Sequence, residues 1–272
     1  MLRNRVITAL FLVAVLLLVL WSESFVAFVL LATVFFAGAI WEIFRLFDNR
    51  QPIVYAVFWT VFFAVVAFTV GRSTYFWVFV LCAAIWFLYL IPSMSRVLPP
   101  LHGTSDRIFE LMYAITLFGS FSAVLVLYKH SAIFLLSVMG VVWIADIGAY
   151  FVGRKFGRRK LAPSISPGKT WEGAIGGWLL VLIVSVVSIV VIGLRDTLAP
   201  RVQAKLGWTG LFVVMTILVA VSIIGDLLES KLKRRRGYKD SSSLLPGHGG
   251  ILDRVDSLIP VLPLAVLLDT WV

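Results

Sequence analysis

Apolar residues run along this chain in long blocks separated by short polar clusters. They show neither the two-residue alternation of a half-buried strand nor the narrow stripe of a soluble amphipathic helix. A helix crosses the hydrocarbon of a bilayer in roughly 20 residues, with a usual range of about 17 to 25. Nine blocks approach that length: 6–21, 25–41, 53–70, 75–91, 108–128, 131–152, 171–193, 208–228 and 257–272. The first and last are short, and Pro260 and Pro263 imply that the last is kinked or begins before 257. Trp21, Trp41, Trp171, Trp208 and Trp271 fall at block ends, where interfacial aromatic rings belong. Arg3 and Arg5 precede the first block, but Trp21-Ser22-Glu23-Ser24 lacks an Ala-x-Ala-like cleavage site and a second block follows at once, so a retained first span is expected. The pattern predicts an all-α polytopic integral membrane protein of about nine transmembrane helices, forming one domain over 1–272.

Composition agrees: 61% of the 272 residues are hydrophobic, far above a soluble domain. Cys82, the single cysteine, lies inside an apolar block and excludes a disulfide framework. The formal net charge is +10, and its distribution sets an orientation. With the N-terminus inside, 19 of the 24 Lys and Arg residues fall in inner segments and 5 in outer loops. That places the N-terminus in the cytoplasm and the C-terminus outside. The partners expected are membrane lipids rather than nucleic acid. The two most basic loops, 153–170 and 229–256, then emerge together on the cytoplasmic side.

The longest polar interval is Ser230 to Asp256, SKLKRRRGYKDSSSLLPGHGGILDRVD. Lys231, Lys233, Arg234, Arg235, Arg236 and Lys239 form a cation field suited to a polyphosphate or an anionic head group. Pro246-Gly247-His248-Gly249-Gly250 carries three glycines whose backbone N–H groups could turn toward phosphate oxygens. Asp253 and Asp256 share a helix face, with Arg254 between them, and offer the hard oxygen ligands that Mg²⁺ takes beside substrate phosphates. His248 is read as a phosphate donor, a metal ligand or the bridge of a tight turn. His102 and His130 are read as solvated loop side chains. Asp226 and Glu229, three residues apart at the inner end of the eighth block, are intramembrane charges of the kind that usually serve function. Asp146, at the inner end of the sixth block, is a weaker candidate, as is Glu229 for a metal.

A second pattern runs from Asp146-Ile-Gly-Ala-Tyr through Arg154 and Lys155 to Ser166-Pro-Gly-Lys-Thr-Trp-Glu-Gly173. Gly168-Lys169-Thr170 is not a Walker A site, because Pro163 stands where its first glycine is required and no strand precedes it. Ser-Pro-Gly breaks the chain and leaves Lys169 at the mouth of the seventh block, placed to meet phosphate. Arg154, Lys155, Arg158, Arg159 and Lys160 also read as ordinary positive-inside anchors. Gly176-Gly177 suit close helix packing within the chain or in a homodimer. The runs Glu42 to Arg50 and Pro92 to Arg107 read as connecting loops.

Both segments resemble the phosphatidate cytidylyltransferase, or CDP-diacylglycerol synthase, family. The likeness rests on Ser230, Lys233-Arg234, Lys239-Asp240, Pro246, His248-Gly249-Gly250, Asp253-Arg254 and Asp256, and on the acidic residue, Gly-Ala-Tyr and Ser-Pro-x-Lys-Thr-x-Glu-Gly elements. It implies that 129–272 is a catalytic half behind N-terminal helices 1–128, condensing CTP with phosphatidate to CDP-diacylglycerol and pyrophosphate. It further implies Asp226 and Asp253 as carboxylates of a Mg²⁺ centre, leaving a second cation open, and a bacterial inner membrane with the site facing the cytoplasm. Asp256 is counted with the metal set. Lys169 and His248 are expected at the chemistry, with Arg154, Lys155, Lys233, Arg234, Lys239, Gly249, Gly250 and Arg254 binding substrate. A CTP-dependent lipid kinase is the nearest alternative. A transporter, which would place its charges near the bilayer midplane, is another. The array of a CDP-alcohol phosphotransferase is absent.

Overall fold

The computed structural model describes residues 2–69 and 72–270. The helices are α1 (Leu2–Trp21), α2 (Phe25–Leu46), α3 (Pro52–Thr69), α4 (Arg72–Ile85), α5 (Ile91–Ser93), α6 (Thr104–His130), α7 (Ala132–Phe156), α8 (Trp171–Val190), α9 (Leu198–Arg235), α10 (Leu252–Val255) and α11 (Leu258–Asp269). A π-helical turn at Trp86–Leu90 joins α4 to α5. Between α7 and α8 lies a two-stranded antiparallel sheet, β1 (Lys160–Ala162) with β2 (Ser166–Thr170), which pairs Lys160 with Thr170 and Ala162 with Ser166. Local chemistry sets several boundaries. Ser24, Ser131 and Thr170 cap α2, α7 and α8, each accepting a backbone N–H three residues on through its side-chain oxygen.

An all-α polytopic membrane architecture is borne out, with the small sheet an addition. Among the described residues, seven helical stretches are long and apolar enough to span a bilayer: 25–46, 52–69, 75–93, 104–130, 132–156, 171–190 and 198–235. The expected first and ninth spans correspond to shorter apolar stretches, Leu10–Trp21 and Leu258–Asp269. Trp271 lies outside the described residues, as do the side chains of Arg3, Arg5 and Arg72. The eighth span differs most. Its helix starts at Leu198, breaks at Gly207, whose φ of 69° suits glycine, and runs on to Arg235, so the first seven residues of the expected loop 229–256 are helix.

Helix α6 is the most buried of the seven and packs against α2, α4, α7 and α11. Phe36 of α2 stacks on Phe63 of α3 with ring centroids 4.7 Å apart and meets Phe121 of α6 edge to face at 5.4 Å. Helices α7 and α8 touch backbone to backbone: a Cβ at Gly148 would lie 2.9 Å from Gly177 Cα, and one at Gly177 would collide with the Ala145 carbonyl oxygen. The small-residue face of α8 is therefore used inside the chain.

The bundle has two polar ends. At one, Arg235 of α9 pairs with Asp106 of α6 at 2.6 Å, and the β1–β2 hairpin meets the end of α9 where Ile165 accepts from Arg234. At the other, His130 meets Asp269 at 3.1 Å, while Arg201 donates to His130 Nε2 at 2.8 Å and pairs with Asp196 at 3.1 Å. This corrects the reading of His130 as a solvated loop residue. It is the last residue of α6, and the stretch of α9 before the Gly207 break folds back over it.

Candidate active site

Helix α9 is the spine of the site. Asp226, Glu229 and Lys233 lie three and four residues apart, which places them along one helix face. Asp226 Oδ1 accepts the Ser230 hydroxyl at 3.2 Å, and its Oδ2 meets Lys169 Nζ of β2 at 2.6 Å. The second polar segment is thereby locked to the first. Arg234 adds a further tie by donating to the Ile165 carbonyl at 3.1 Å. Asp146 of α7 lies within electrostatic range of both Asp226 and Lys169.

Lys233 Nζ sits between Glu229 Oε2 and Asp253 Oδ1, the latter at 2.5 Å. Glu229 is fully buried and its Oε1 has no hydrogen-bond partner among the described residues. Asp253 Oδ2 accepts from Gly250 N at 2.8 Å, Ser241 N at 2.9 Å and Ser241 Oγ at 3.0 Å. Burial alone would raise the Asp253 carboxyl, but the Lys233 ammonium and the Gly250 and Ser241 N–H groups outweigh it and hold it below the usual carboxylate range. Asp256 goes the other way. Burial, and then the Asp226 carboxylate, push it up to about 8. Two carboxyl groups three residues apart are thus pushed in opposite directions by their surroundings. Tyr113 of α6, buried and without a hydrogen-bond partner for its hydroxyl among the described residues, lies within electrostatic range of Asp226, Glu229, Asp253 and Asp256.

Asp146, Asp226, Glu229, Asp253 and Asp256 share two ammonium groups, Lys169 and Lys233, and one buried carboxylate oxygen of the cluster, Glu229 Oε1, has no hydrogen-bond partner among the described residues. Among the described residues no three acidic, His or Cys side chains converge closely enough to hold a metal ion by themselves. An open site using one or two carboxylates and completed by substrate oxygens is the usual form for Mg²⁺.

Several expected ligands are engaged elsewhere. Lys231 donates to the carbonyls of Ser93, Met94 and Arg96, and Arg236 pairs with Asp48 at 2.8 Å. With Arg235 on Asp106, half of the cation field fastens the end of α9 to its neighbours: Lys231 and Arg235 belong to the helix, and Arg236 is the residue that caps it. Arg234 and Lys239 remain exposed. Arg154 reaches only Tyr150 at 3.1 Å and Lys155 lies over Phe156; both are exposed at the end of α7 rather than in a loop. Arg254 donates through Nε and Nη2 to the His248 carbonyl, and His248 Nδ1 is buried without a hydrogen-bond partner among the described residues.

The glycine turn departs from the phosphate-cradle expectation. Gly247 and Gly249 do adopt positive φ, 78° and 84°. The following N–H groups, however, are taken by carboxylates: Gly250 N by Asp253, and Ile251 N and Leu252 N by Glu42. Glu42 was missed because it follows an apolar block and reads as the first residue of a loop. It lies inside α2 and is fully buried. The available signal was a lone carboxylate at the end of an otherwise apolar helix.

Beside the site a cavity of about 640 Å³ is walled by residues 94–101, Ser164, Ile165 and the Lys231–Arg235 end of α9. The sequence model of the cytidylyltransferase family matches residues 3–271. The chain is 33% identical to the phosphatidate cytidylyltransferase of Haemophilus influenzae over 97% of its own length and 96% of that protein. It is 48% identical to the Pseudomonas aeruginosa phosphatidate cytidylyltransferase over 129 residues, 47% of this chain and 44% of that protein. For the Staphylococcus saprophyticus protein of the same name the identity is 46% over 128 residues, 47% and 45% of the two chains. Matched from end to end by that sequence model, and carrying its two polar segments closed on each other at Lys169 and Asp226, this chain belongs to the cytidylyltransferase family.

Proposed function

We propose that the chain transfers the cytidylyl group of CTP to phosphatidate, giving CDP-diacylglycerol and pyrophosphate. The observation that carries this reading is the 2.6 Å ion pair between Lys169 and Asp226, which assembles one polar centre from two distant segments at a single end of an apolar bundle. A phosphatidate phosphate oxygen attacks the α-phosphorus of CTP, the bond from that phosphorus to the β-bridging oxygen breaks, and pyrophosphate leaves. The acceptor is already an anion, so no general base is required. Positioning and electrostatic stabilisation are what the protein must supply.

Lys169 would meet the triphosphate, while Arg234, which lines the cavity, and the exposed Lys239 draw the nucleotide in. Asp226 and Asp253 would hold Mg²⁺, with Asp256 and Glu229 beside them; Oδ1 of Asp253 has Lys233 as its single partner and so retains acceptor capacity. Bound there, Mg²⁺ would neutralise charge on the phosphates. Asp253 also orders the 241–250 segment, and Lys233 balances charge between Asp253 and Glu229.

The orientation proposed is N-terminus and active site toward the cytoplasm of a bacterial inner membrane, where CTP is available. It is tested with Asp240→Cys in a Cys82→Ser background. An impermeant thiol reagent added outside intact cells should leave position 240 unlabelled, and labelling there overturns the orientation.

The activity itself is tested with purified protein in detergent, phosphatidate, Mg²⁺ and CTP labelled distinguishably at the α- and γ-phosphates. Label from the α-position is expected in the lipid product. Label from the γ-position would instead indicate a lipid kinase, and a lipid without either label would return attention to transport.

A further inference from the structure

Glu42 lies outside both segments that carry the family resemblance, in the N-terminal helices, yet it reaches the reaction centre. Its carboxylate is fully buried and receives only donors: Ser242 Oγ, Ile251 N at 3.0 Å, Leu252 N at 2.6 Å and Ser241 Oγ at 3.1 Å. These donors come from the two edges of the 241–252 segment, either side of the Gly247 and Gly249 turns. Ser241 Oγ also lies 3.0 Å from Asp253 Oδ2, so its single proton is shared between two carboxylates. A Cβ at Gly250 would collide with Ser241 Oγ and Glu42 Oε1, leaving room for glycine alone.

We propose that Glu42 is a positioning residue for the transfer reaction. It clasps the 241–252 segment to α2 and thereby holds Asp253 and Asp256 in register with Asp226 on α9. A carboxylate is required because every partner is a donor and only an acceptor-only group satisfies them all. Glutamine would turn an amide N–H₂ toward N–H and O–H groups, leaving buried donors unpaired. Aspartate would withdraw the oxygens by one methylene. The catalytic part of this proposal rests on the cytidylyl-transfer reading; the clasp itself does not.

The experiment separates the two. Full-length protein with a Cys82→Ala background is nitroxide-labelled at Ser243→Cys, an exposed position within the clasped segment, or at Gly193→Cys, toward the far end of the bundle. Glu42→Gln is expected to raise label mobility at 243 and leave 193 unchanged. It should lower kcat by about 10²-fold, the scale of a roughly 1 Å misplacement of reacting groups. KM for phosphatidate should stay within about twofold, since Glu42 touches no substrate. Should Glu42→Gln fail to fold, Ser242→Ala removes one donor while keeping the charge, and is expected to shift both readouts in the same direction by less. Unchanged mobility at 243, or increased mobility with a wild-type kcat, overturns the proposal. A parent protein inactive toward CTP and phosphatidate would sink the reaction instead, leaving the spectra to decide the clasp.

Discussion

Asp226→Asn is expected to reduce cytidylyl transfer by about 10²- to 10³-fold, the usual consequence of removing one preorganised electrostatic group from a reaction centre. Asp226 holds Lys169 at 2.6 Å, with about a quarter of each side chain exposed. An ion pair so placed contributes on the order of 1 kcal/mol or less to stability. Unfolding therefore cannot account for a loss of that size, and thermal stability should change little. Lys169→Met should give a comparable loss of rate. Because the two side chains act as one unit, the double variant should be little worse than either single one. The measurement is the rate of α-label transfer from CTP alongside the melting temperature of each variant. A near-normal rate for Asp226→Asn would remove it from the reaction, and additive losses would mean that the two side chains act independently rather than as one unit.

Asp253→Asn should stop transfer as completely, with a different signature. Asp253 carries Lys233 on one oxygen and three hydrogen bonds on the other. An asparagine must point its N–H₂ either at an ammonium or at backbone N–H groups, so a donor faces a donor in both orientations. Leaving such a buried group unsatisfied costs roughly 1–3 kcal/mol. The protein should remain folded but melt at a lower temperature, unlike Asp226→Asn. If Asp253→Asn transfers at a near-normal rate, Asp253 leaves the metal role. If its rate falls with no change in melting temperature, Asp253 acts at the chemistry without anchoring the 241–250 segment.

Much of the architecture was legible in the order of apolar and polar residues. Seven of nine expected spans correspond to long apolar helices because lipid imposes a length on any helix that crosses it, and that length is written directly in the chain. The short first and last blocks were visible as exceptions. The break at Gly207 coincides with the start of the eighth block at 208, but the helical stretch before it, with Arg201, Gln203 and Lys205, carries no apolar run and was not legible as part of α9. The basic run after Ser230 was misread for a related reason. A loop leaves its cations free, whereas the end of α9 sends Lys231, Arg235 and the capping Arg236 in fixed directions, each meeting a partner from a different part of the chain.

Residue types and their spacing were sufficient to assign the fold class, the two polar segments and the acidic and basic residues that meet between them, because each depends on local pattern. Tertiary structure alone decided who meets whom: Lys169 with Asp226, Lys233 between Glu229 and Asp253, and Glu42 with the backbone of Ile251 and Leu252, 209 and 210 positions away. A buried carboxylate takes whichever donors the fold brings to it, and nothing in the neighbouring sequence of Glu42 specifies which those are.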